Sequence, residues 1–533
     1  MPGGSVNYLT RASSTVSGAE ESTFFTVNFD PAALQAGSNT LAVEIHQRSS
    51  TSSDISFDLF LEGTDGSALL TRGPYLQLGT PTAITIRWRT DLPTDSVVSY
   101  GSSPGHLDNS VSDPALVTEH EMALSGLTAD TTYYYSVGSS GGVLAGDDND
   151  HLLTTAPVAG SVVPIRVWVL GDSGSANSNA AAVRDAYINY CNGCKTDIWL
   201  MLGDNAYTDG TDFEYQAAVF DMYPTFLRST VLWLTLGNHD AHSADSPSES
   251  GPYYDIFTLP RNGEAGGLAS GTEAYYSFDY GNVHFVCLDS QDTDRSPGGA
   301  MLTWLENDLA STMQDWIIAY WHHPPYTKGS HDSDNAADSG GRMRDMRVFA
   351  LPILESHGVD LVMTGHSHSY ERSFLLDGHY GTSGTLTPDM IIDDGDGRED
   401  GDGAYQKSSG LNAHEGTVYV VAGSSGKTSG GALNHPVMYL SLNRLGSLVV
   451  DINGDRLDAA FLDNAALVRD HFTIIKTDNC PEDLDGDGFV GQQDLGILLA
   501  AYMFNDGGDI DGDGDTDQAD LGALLAVYDT SCP

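Results

Sequence analysis

Five short apolar runs constrain this chain more than any other feature of its 533 residues. Ile165 to Leu170, Ile198 to Leu202, Val231 to Leu236, Trp316 to Trp321 and Leu361 to Thr364 are apolar, or nearly so, at every position. A strand exposed on one face alternates, whereas a strand covered on both faces reads as a continuous apolar run. Ala180 to Tyr190 and Met343 to His357, between these runs, carry helical periodicity. Strands buried on both faces and interleaved with helices predict an α/β layered core.

Each run ends at once on a residue able to bind a metal. The first leads into Gly171-Asp172, and the second into Gly203-Asp204, with Tyr207 three positions on. The third leads into Gly237-Asn238-His239-Asp240, the fourth into His322, and the fifth into Gly365-His366-Ser367-His368. Sites in open α/β sheets form at the carboxyl ends of strands, and glycine lets the chain turn there while the next side chain projects into the crevice. A lone Asp after a strand is ordinarily a helix cap or turn former. Five such endings in chain order, all of ligand types, are not explained by capping. Carboxylate, imidazole, amide and phenolate donors suit hard or borderline cations. Seven of them exceed the needs of one ion, so two ions sharing a bridging carboxylate are expected.

The order GDSG, GDNAY, GNHD, the His322 strand and GHSH resembles the metallophosphoesterase superfamily, and within it the purple acid phosphatases. Tyr207 three after Asp204, the block WIIAYWHHPPY from Trp316 to Tyr326, and Ser369-Tyr370-Glu371-Arg372 after the last ligand carry the narrower resemblance. It covers residues 163–470 and implies an α/β core, an αββα sandwich, that hydrolyses phosphate monoesters. It further implies that Asp172, Tyr207 and His368 hold a ferric ion. Asp204 would then bridge to a divalent ion, zinc, iron or manganese, held by Asn238, His322 and His366. Two cations a few Å apart lower the pKa of a bound water, clamp phosphate oxygens and neutralise charge in an in-line displacement.

The leaving oxygen needs a proton, which histidine is suited to give. The resemblance points to His239, beside Asn238, and to His331. Relatives often carry paired histidines where this chain has His331-Asp332. His323 is expected to point away from His322 along the strand and to pack. The runner-up activity on the same core is phosphodiester or nucleotide hydrolysis. The rival from another class is a binding protein displaying an inactive phosphatase domain.

Residues 1–66 read as a β-sandwich fragment, from alternating stretches such as Leu41 to Ile45 and Ile55 to Leu61. Residues 70–157 continue the strand signals at Tyr75 to Leu78, Ala83 to Trp88, Val97 to Tyr100 and Tyr133 to Val137. Leu127 to Tyr133 resembles the corner before a late strand of fibronectin type III domains, and the segment resembles the family's N-terminal domain.

Residues 478–533 hold an internal repeat: Asp494 to Tyr502 recurs as Asp520 to Tyr528, each after an acidic loop. Asp483, Asp485, Asp487 and Asp494 take loop positions 1, 3, 5 and 12 with glycine at 6, a spacing that wraps calcium; Asp509, Asp511, Asp513, Asp517 and Asp520 repeat it. Position 12 is Asp rather than the Glu of an EF-hand, and one helix follows each loop. The module is similar to dockerins, which implies calcium-dependent folding and a cohesin-like partner. The run Asp393 to Gly403 fits no calcium template and reads as a solvated loop.

Cys480 and Cys532 bracket this module as a staple suited to an oxidising compartment, while Cys191 and Cys194 read as a local disulfide or two thiols. A formal charge of −51 argues against binding to a nucleic-acid scaffold, whose phosphates it would repel. No apolar run approaches the roughly 20 residues that span a bilayer. The start shows no signal peptide and reads as a truncated gene product, so secretion is inferred from the modules.

Overall fold

The computed structural model describes residues 68–477, 480–485, 488–511 and 514–532. The β-sandwich fragment expected over residues 1–66 lies outside the described residues.

Six strands form the first domain as one sheet: β1 (Leu70–Gln77), β2 (Ala83–Gly101), β3 (Asn109–Ser125), β4 (Thr132–Ser139), β5 (Gly142–Gly146) and β6 (Leu152–Thr154). Ala83 to Trp88 and Val97 to Tyr100, expected as separate strands, are two arms of the single strand β2. The first arm pairs with β1 and β3, setting Arg87 opposite Tyr75 and Glu121; the second sets Tyr100 opposite Tyr135 of β4. Register shifts between Arg89, Thr94 and Ser96 absorb the residues around Pro93, so the turn signal there becomes a bulge inside one strand. Tyr75, Ile84, Ile86 and Trp88 fill the domain's core, with Trp88 stacked on His120 at 4.7 Å.

The core that follows is built on two sheets. The strands are β7 (Ile165–Leu170), β8 (Ile198–Met201), β9 (Val231–Leu234), β10 (Tyr276–Tyr280), β11 (Val283–Cys287), β12 (Trp316–Trp321), β13 (Leu361–Thr364), β14 (Tyr370–Leu376), β15 (Ile391–Asp393), β16 (Tyr405–Ser408), β17 (Thr417–Ala422), β18 (Met438–Leu442), β19 (Gly446–Asn453), β20 (Arg456–Asp463) and β21 (Val468–Thr477). One sheet runs β16-β21-β20-β19-β7-β8-β9; the other runs β10-β11-β12-β13-β17-β14-β15, with β18 beside β14. Within them β7, β8 and β9 are mutually parallel, as are β11, β12, β13 and β17. All residues of β8, β9, β12 and β13 are buried, which is why their sequences lack alternation.

Helices pack on these sheets. Ser178–Cys191 is capped at its start by Asn177, whose side chain accepts the N–H groups of Asn179 and Ala180, and ends on Asn192 in the left-handed conformation. Its Tyr187 stacks on Trp168 of β7 at 4.4 Å. Residues 342–356 form the helix expected from Met343 to His357, but with a wide π-turn at Met346–Ala350. Pro352 just beyond lacks an N–H and crowds the carbonyl one turn back, which a wider turn relieves.

The terminal module sets helices Gln492–Ala501 and Gln518–Ala526 around Val490, Leu498 and Leu524, and Cys480 pairs with Cys532. Cys191 pairs with Cys194, the first of the two readings of that motif. Among the described residues no helix is long and apolar enough to cross a membrane.

Candidate metal centre

The carboxyl ends of β7, β8 and β9 meet those of β12 and β13 at very close range. A Cβ on Gly203, whose φ is +86°, would lie 2.6 Å from His322 Nδ1, and one on Gly365 would lie 2.6 Å from Asp172 Oδ2. These two glycines are required by the approach of ligand-type side chains from the opposite sheet. The backbone is itself strained at the site: Asp172 (φ 55°), Asp204 (φ 52°) and His366 (φ 65°) occupy the left-handed region. Such conformations cost about 1–3 kcal/mol each and persist where the surroundings dictate them, typically at functional sites.

All seven residues come together. His322 Nδ1–H donates to the Leu202 carbonyl at 2.8 Å, turning Nε2 toward Asn238 Oδ1 at 3.1 Å, His366 Nδ1 at 3.2 Å and Asp204 Oδ1 at 3.4 Å. The far nitrogen of His366 lies 2.7 Å from Ser339 Oγ. On the other side of the cluster the Tyr207 hydroxyl is 3.1 Å from Asp172 Oδ1 and 3.3 Å from His368 Nε2, and His368 Nδ1 lies 2.8 Å from Ser429 Oγ. The second carboxylate oxygen of Asp172 accepts the His366 N–H at 2.7 Å, tying the halves together. Asp172, Asp204 and His322 carry ligand atoms within 4.8 Å of one another.

The electrostatics follow from burial. Desolvation and then the neighbouring imidazoles, His323 first, push His366 well below the usual histidine range, leaving it neutral. Desolvation, then the charges of Asp172 and Asp204, push the Tyr207 phenol well above its usual range. Asp240 organises the turns between the ligands. Its carboxylate accepts the N–H groups of Asn205, Ala206 and Gly237 and the Tyr215 hydroxyl, while burial and then the Asp204 charge raise its pKa to about 6.

Both candidate proton donors border the cluster. His239 Nδ1–H donates to the Thr208 carbonyl at 2.7 Å, and its Nε2 lies 3.9 Å from Asp204 Oδ2. The His331 ring stacks on His366 with centroids 3.9 Å apart, and its Nδ1 is 2.9 Å from Asp338 Oδ1. His323 departs from expectation: instead of pointing away, it offers a ring nitrogen within 4.8 Å of those of His322 and His366, and its Nδ1 meets Ser290 Oγ at 2.9 Å. Strand β12 ends at Trp321, so side-chain alternation no longer governs the next two residues. Asp338, Ser339 and Ser429, the partners of the imidazoles, carry no sequence signal, because the first two sit on a short 3-10 turn and the third on a loop, neither long enough to show periodicity. Asp240 was legible as the last residue of Gly-Asn-His-Asp.

In the terminal module, Asp483, Asp485 and Asp494 gather carboxylate oxygens within 4.8 Å, as do Asp509, Asp511 and Asp520, and Asp515, Asp517 and Asp520. Asp494 accepts the N–H groups of Asp485 and Gly491, and Asp520 those of Ile510, Asp511 and Asp517. Asp487 and Asp513 lie outside the described residues. In the run from Asp393 to Gly403, Asp396 accepts the N–H groups of Arg398 and Asp402, and Glu399 pairs with Arg456 on β20.

Two sheets meeting over an acidic, histidine-rich cluster at their strand ends define the class of the core, and a model of the calcineurin-like phosphoesterases matches residues 165–370. A model of the purple acid phosphatase N-terminal domain matches residues 71–150. Purple acid phosphatase 18 of Arabidopsis thaliana is 30% identical over 330 residues, spanning 59% of this chain and 68% of that protein. Purple acid phosphatase 15 of the same plant is 28% identical over 281 residues, 48% of this chain and 49% of that protein. The chain therefore belongs to the purple acid phosphatase family. Among solved structures, purple acid phosphatase PPD1 from yellow lupin seeds shares the fold at a TM-score of 0.56 and 19% identity, covering 76% of this chain and 74% of that one. A structure of PhoD covers 78% of this chain and 92% of its own at a TM-score of 0.55 and 15% identity.

Proposed function

We propose that the chain hydrolyses phosphate monoesters at a dinuclear metal centre, as an acid phosphatase-type phosphoric ester hydrolase. One observation carries this reading. His322 Nε2 lies 3.1 Å from Asn238 Oδ1 and 3.2 Å from His366 Nδ1, while the other nitrogen of each ring is engaged by Leu202 or Ser339. Lone pairs aimed at one another repel unless a cation lies among them, and partners behind each ring are the usual support of metal-binding imidazoles.

Asp172, Tyr207 and His368 would hold iron(III), for which a phenolate oxygen is a suitably hard donor. Asn238, His322 and His366 would hold a divalent ion, zinc, iron or manganese, with Asp204 bridging. When bound, the two cations supply an activated water and a clamp on the phosphate oxygens. The protein's own groups do the rest: Leu202, Ser339 and Ser429 fix the rings, the left-handed turns hold the carboxylates in place, and His239 or His331 protonates the leaving oxygen. The decisive experiment incubates the purified chain with an aryl phosphate monoester and its diester, with and without chelator. Chelator-sensitive monoester turnover is expected; no turnover of either ester sinks the reading, and faster diester turnover replaces it with a phosphodiesterase.

The terminal module is read as dockerin-like, with calcium at Asp483, Asp485, Asp487 and Asp494 and at Asp509, Asp511, Asp513, Asp517 and Asp520. The clustered carboxylates and the loop spacing support this. Calcium added to the chelated full chain is expected to raise helical circular dichroism, and an unchanged spectrum refutes the assignment. Leu499 and Leu525, each 53% exposed on the module's helices, support a cohesin-type protein partner. The Cys480–Cys532 staple supports secretion into an oxidising medium. The first domain, 70–157, is read as fibronectin type III-like.

A further inference from the structure

Asp338 and Ser339 lie on the connection between β12 and β13, where neither the ligand motifs nor the family's histidine pattern draws attention to them. Asp338 Oδ1 lies 2.9 Å from His331 Nδ1 and accepts the Ser339 hydroxyl, also at 2.9 Å. The same hydroxyl oxygen is 2.7 Å from His366 Nε2. Since the serine proton goes to the carboxylate, the oxygen is left to accept, so His366 carries its proton on Nε2 and keeps the Nδ1 lone pair for the metal cluster. The other oxygen of Asp338 accepts the Asp332 N–H at 2.9 Å, fixing the carboxylate plane. Ser339 is held at φ 51°, followed by Gly340 at 64° and Gly341 at 85°. A serine in that region is strained unless something dictates its place, and here the strained backbone puts the hydroxyl between the carboxylate and the imidazole.

From this geometry we infer that Asp338 is a positioning residue that sets the tautomers of two imidazoles, His331 directly and His366 through Ser339. The inference rests on the phosphatase reading for its kinetic half only. With Nδ1–H committed to Asp338, His331 presents Nε2. In its doubly protonated form it hands the Nε2 proton to the leaving oxygen as the P–O bond breaks, and returns to the neutral ring with Nδ1–H still on the carboxylate. A buried or half-buried carboxylate behind a histidine stabilises the imidazolium and orients the ring without itself taking the proton. One carboxylate thus couples the candidate proton donor to a metal-binding ring.

The test uses Asp338→Asn, which keeps the shape and removes the charge, and Ser339→Ala, which cuts only the branch to His366. Zinc affinity is measured on the full chain by competition with a chromophoric chelator, independent of turnover. Both variants are expected to bind the weaker-held zinc about tenfold to a hundredfold less tightly, the range for partners behind metal-binding imidazoles. Turnover is then compared for a dinitrophenyl phosphate, whose leaving group needs no proton, and an alkyl phosphate, whose leaving group does. Asp338→Asn is expected to slow the alkyl ester by about tenfold to a hundredfold more than the dinitrophenyl ester, within the range of general-acid contributions, while Ser339→Ala slows both alike. Zinc affinity unchanged in both variants overturns the His366 branch, and equal slowing of both esters by Asp338→Asn overturns the His331 branch. A wild type that turns over neither ester defeats the phosphatase reading instead, and the zinc competition then decides by itself whether Asp338 positions His366.

Discussion

The core and the terminal module both gather carboxylates, but from opposite ends of the folding problem. In the core, ligand-type residues run from Asp172 to His368 and come from strand ends in two sheets, so the full set cannot meet before both sheets have formed. Their orientation is fixed from behind by the Leu202 carbonyl, Ser339 and Ser429. In the module, each set of carboxylates lies within one short loop and the first turn of the helix after it, and the described apolar core beneath consists of Val490, Leu498 and Leu524 with partly buried neighbours. Hydrogen bonds there come from N–H groups of the same loops, as from Gly488 to Asp483 and Gly514 to Asp509. The core site is a product of its fold, whereas the proposed calcium loops would make the module's fold depend on its sites.

Calcium removal is the strongest way to break that contrast. With a calcium-selective chelator, helices Gln492–Ala501 and Gln518–Ala526 are expected to melt and limited proteolysis to strip the module, while residues 68–477 survive. Equal resistance of the module with and without calcium would place its stability in the Cys480–Cys532 staple and the small core rather than in the ions.

Within the core the expected loss is functional rather than structural. Asp204→Asn removes the proposed bridge and is expected to lower turnover by more than the roughly 10–100-fold typical of residues one shell further out, with little change in the thermal midpoint. Tyr207→Phe is expected to abolish visible absorption in the metal-loaded protein. A colourless wild type holding stoichiometric zinc would contradict the iron assignment.

Alkaline pH should separate the two regions by stability. His284 is buried between Asp279 Oδ1 at 2.7 Å and Asp308 Oδ2 at 3.0 Å. Burial opposes its charge, but the two carboxylates outweigh it and raise its pKa to about 9 from an ordinary 6.5. A raised folded-state value stabilises fully below about pH 6.5 and is lost as pH rises through 9, on the order of 3 kcal/mol in all. The core's urea midpoint is therefore expected to fall between pH 7 and 9.5, and Asp279→Asn to flatten the fall. The calcium-loaded module, whose residues 478–533 include no histidine, should not follow. A core midpoint independent of pH would mean that His284 is neutral at both ends.

How much of this was legible depended on whether a feature was local. Ile165–Leu170, Trp316–Trp321 and Leu361–Thr364 stand at the predicted boundaries because strands covered on both faces need no register information from elsewhere. The ligand-type residues were legible because they lie within about six residues of a strand end. The continuity of β2 was not, since Pro93 and its neighbours read as a turn and only pairing with β3 and β4 shows the bulge. Nor were Asp338 and Ser429, which reach their imidazoles across 7 and 61 residues, distances over which no sequence period operates.

The smallest expected effect lies where the first domain meets the core. Arg89 grips Asp212 through both carboxylate oxygens, at 2.6 and 2.7 Å, and Arg72 reaches the same carboxylate at 3.0 Å. Asp212 opens the helix Asp212–Tyr215, whose Thr211 and Glu214 form a capping box; Glu214 also accepts the N–H groups of Thr208 and Asp209, just after Tyr207. The Arg side chain is 26% exposed and the Asp 46%, so solvent screens the pair. Arg89→Ala is expected to destabilise by no more than about 1 kcal/mol, shifting the thermal midpoint slightly and leaving the visible absorption of the metal-loaded protein unchanged, because the Glu214 contacts still hold the segment after Tyr207. A variant that lost absorption as well would make the first domain a part of the metal site's support, and would extend to a third region the dependence of site on fold that marks the core.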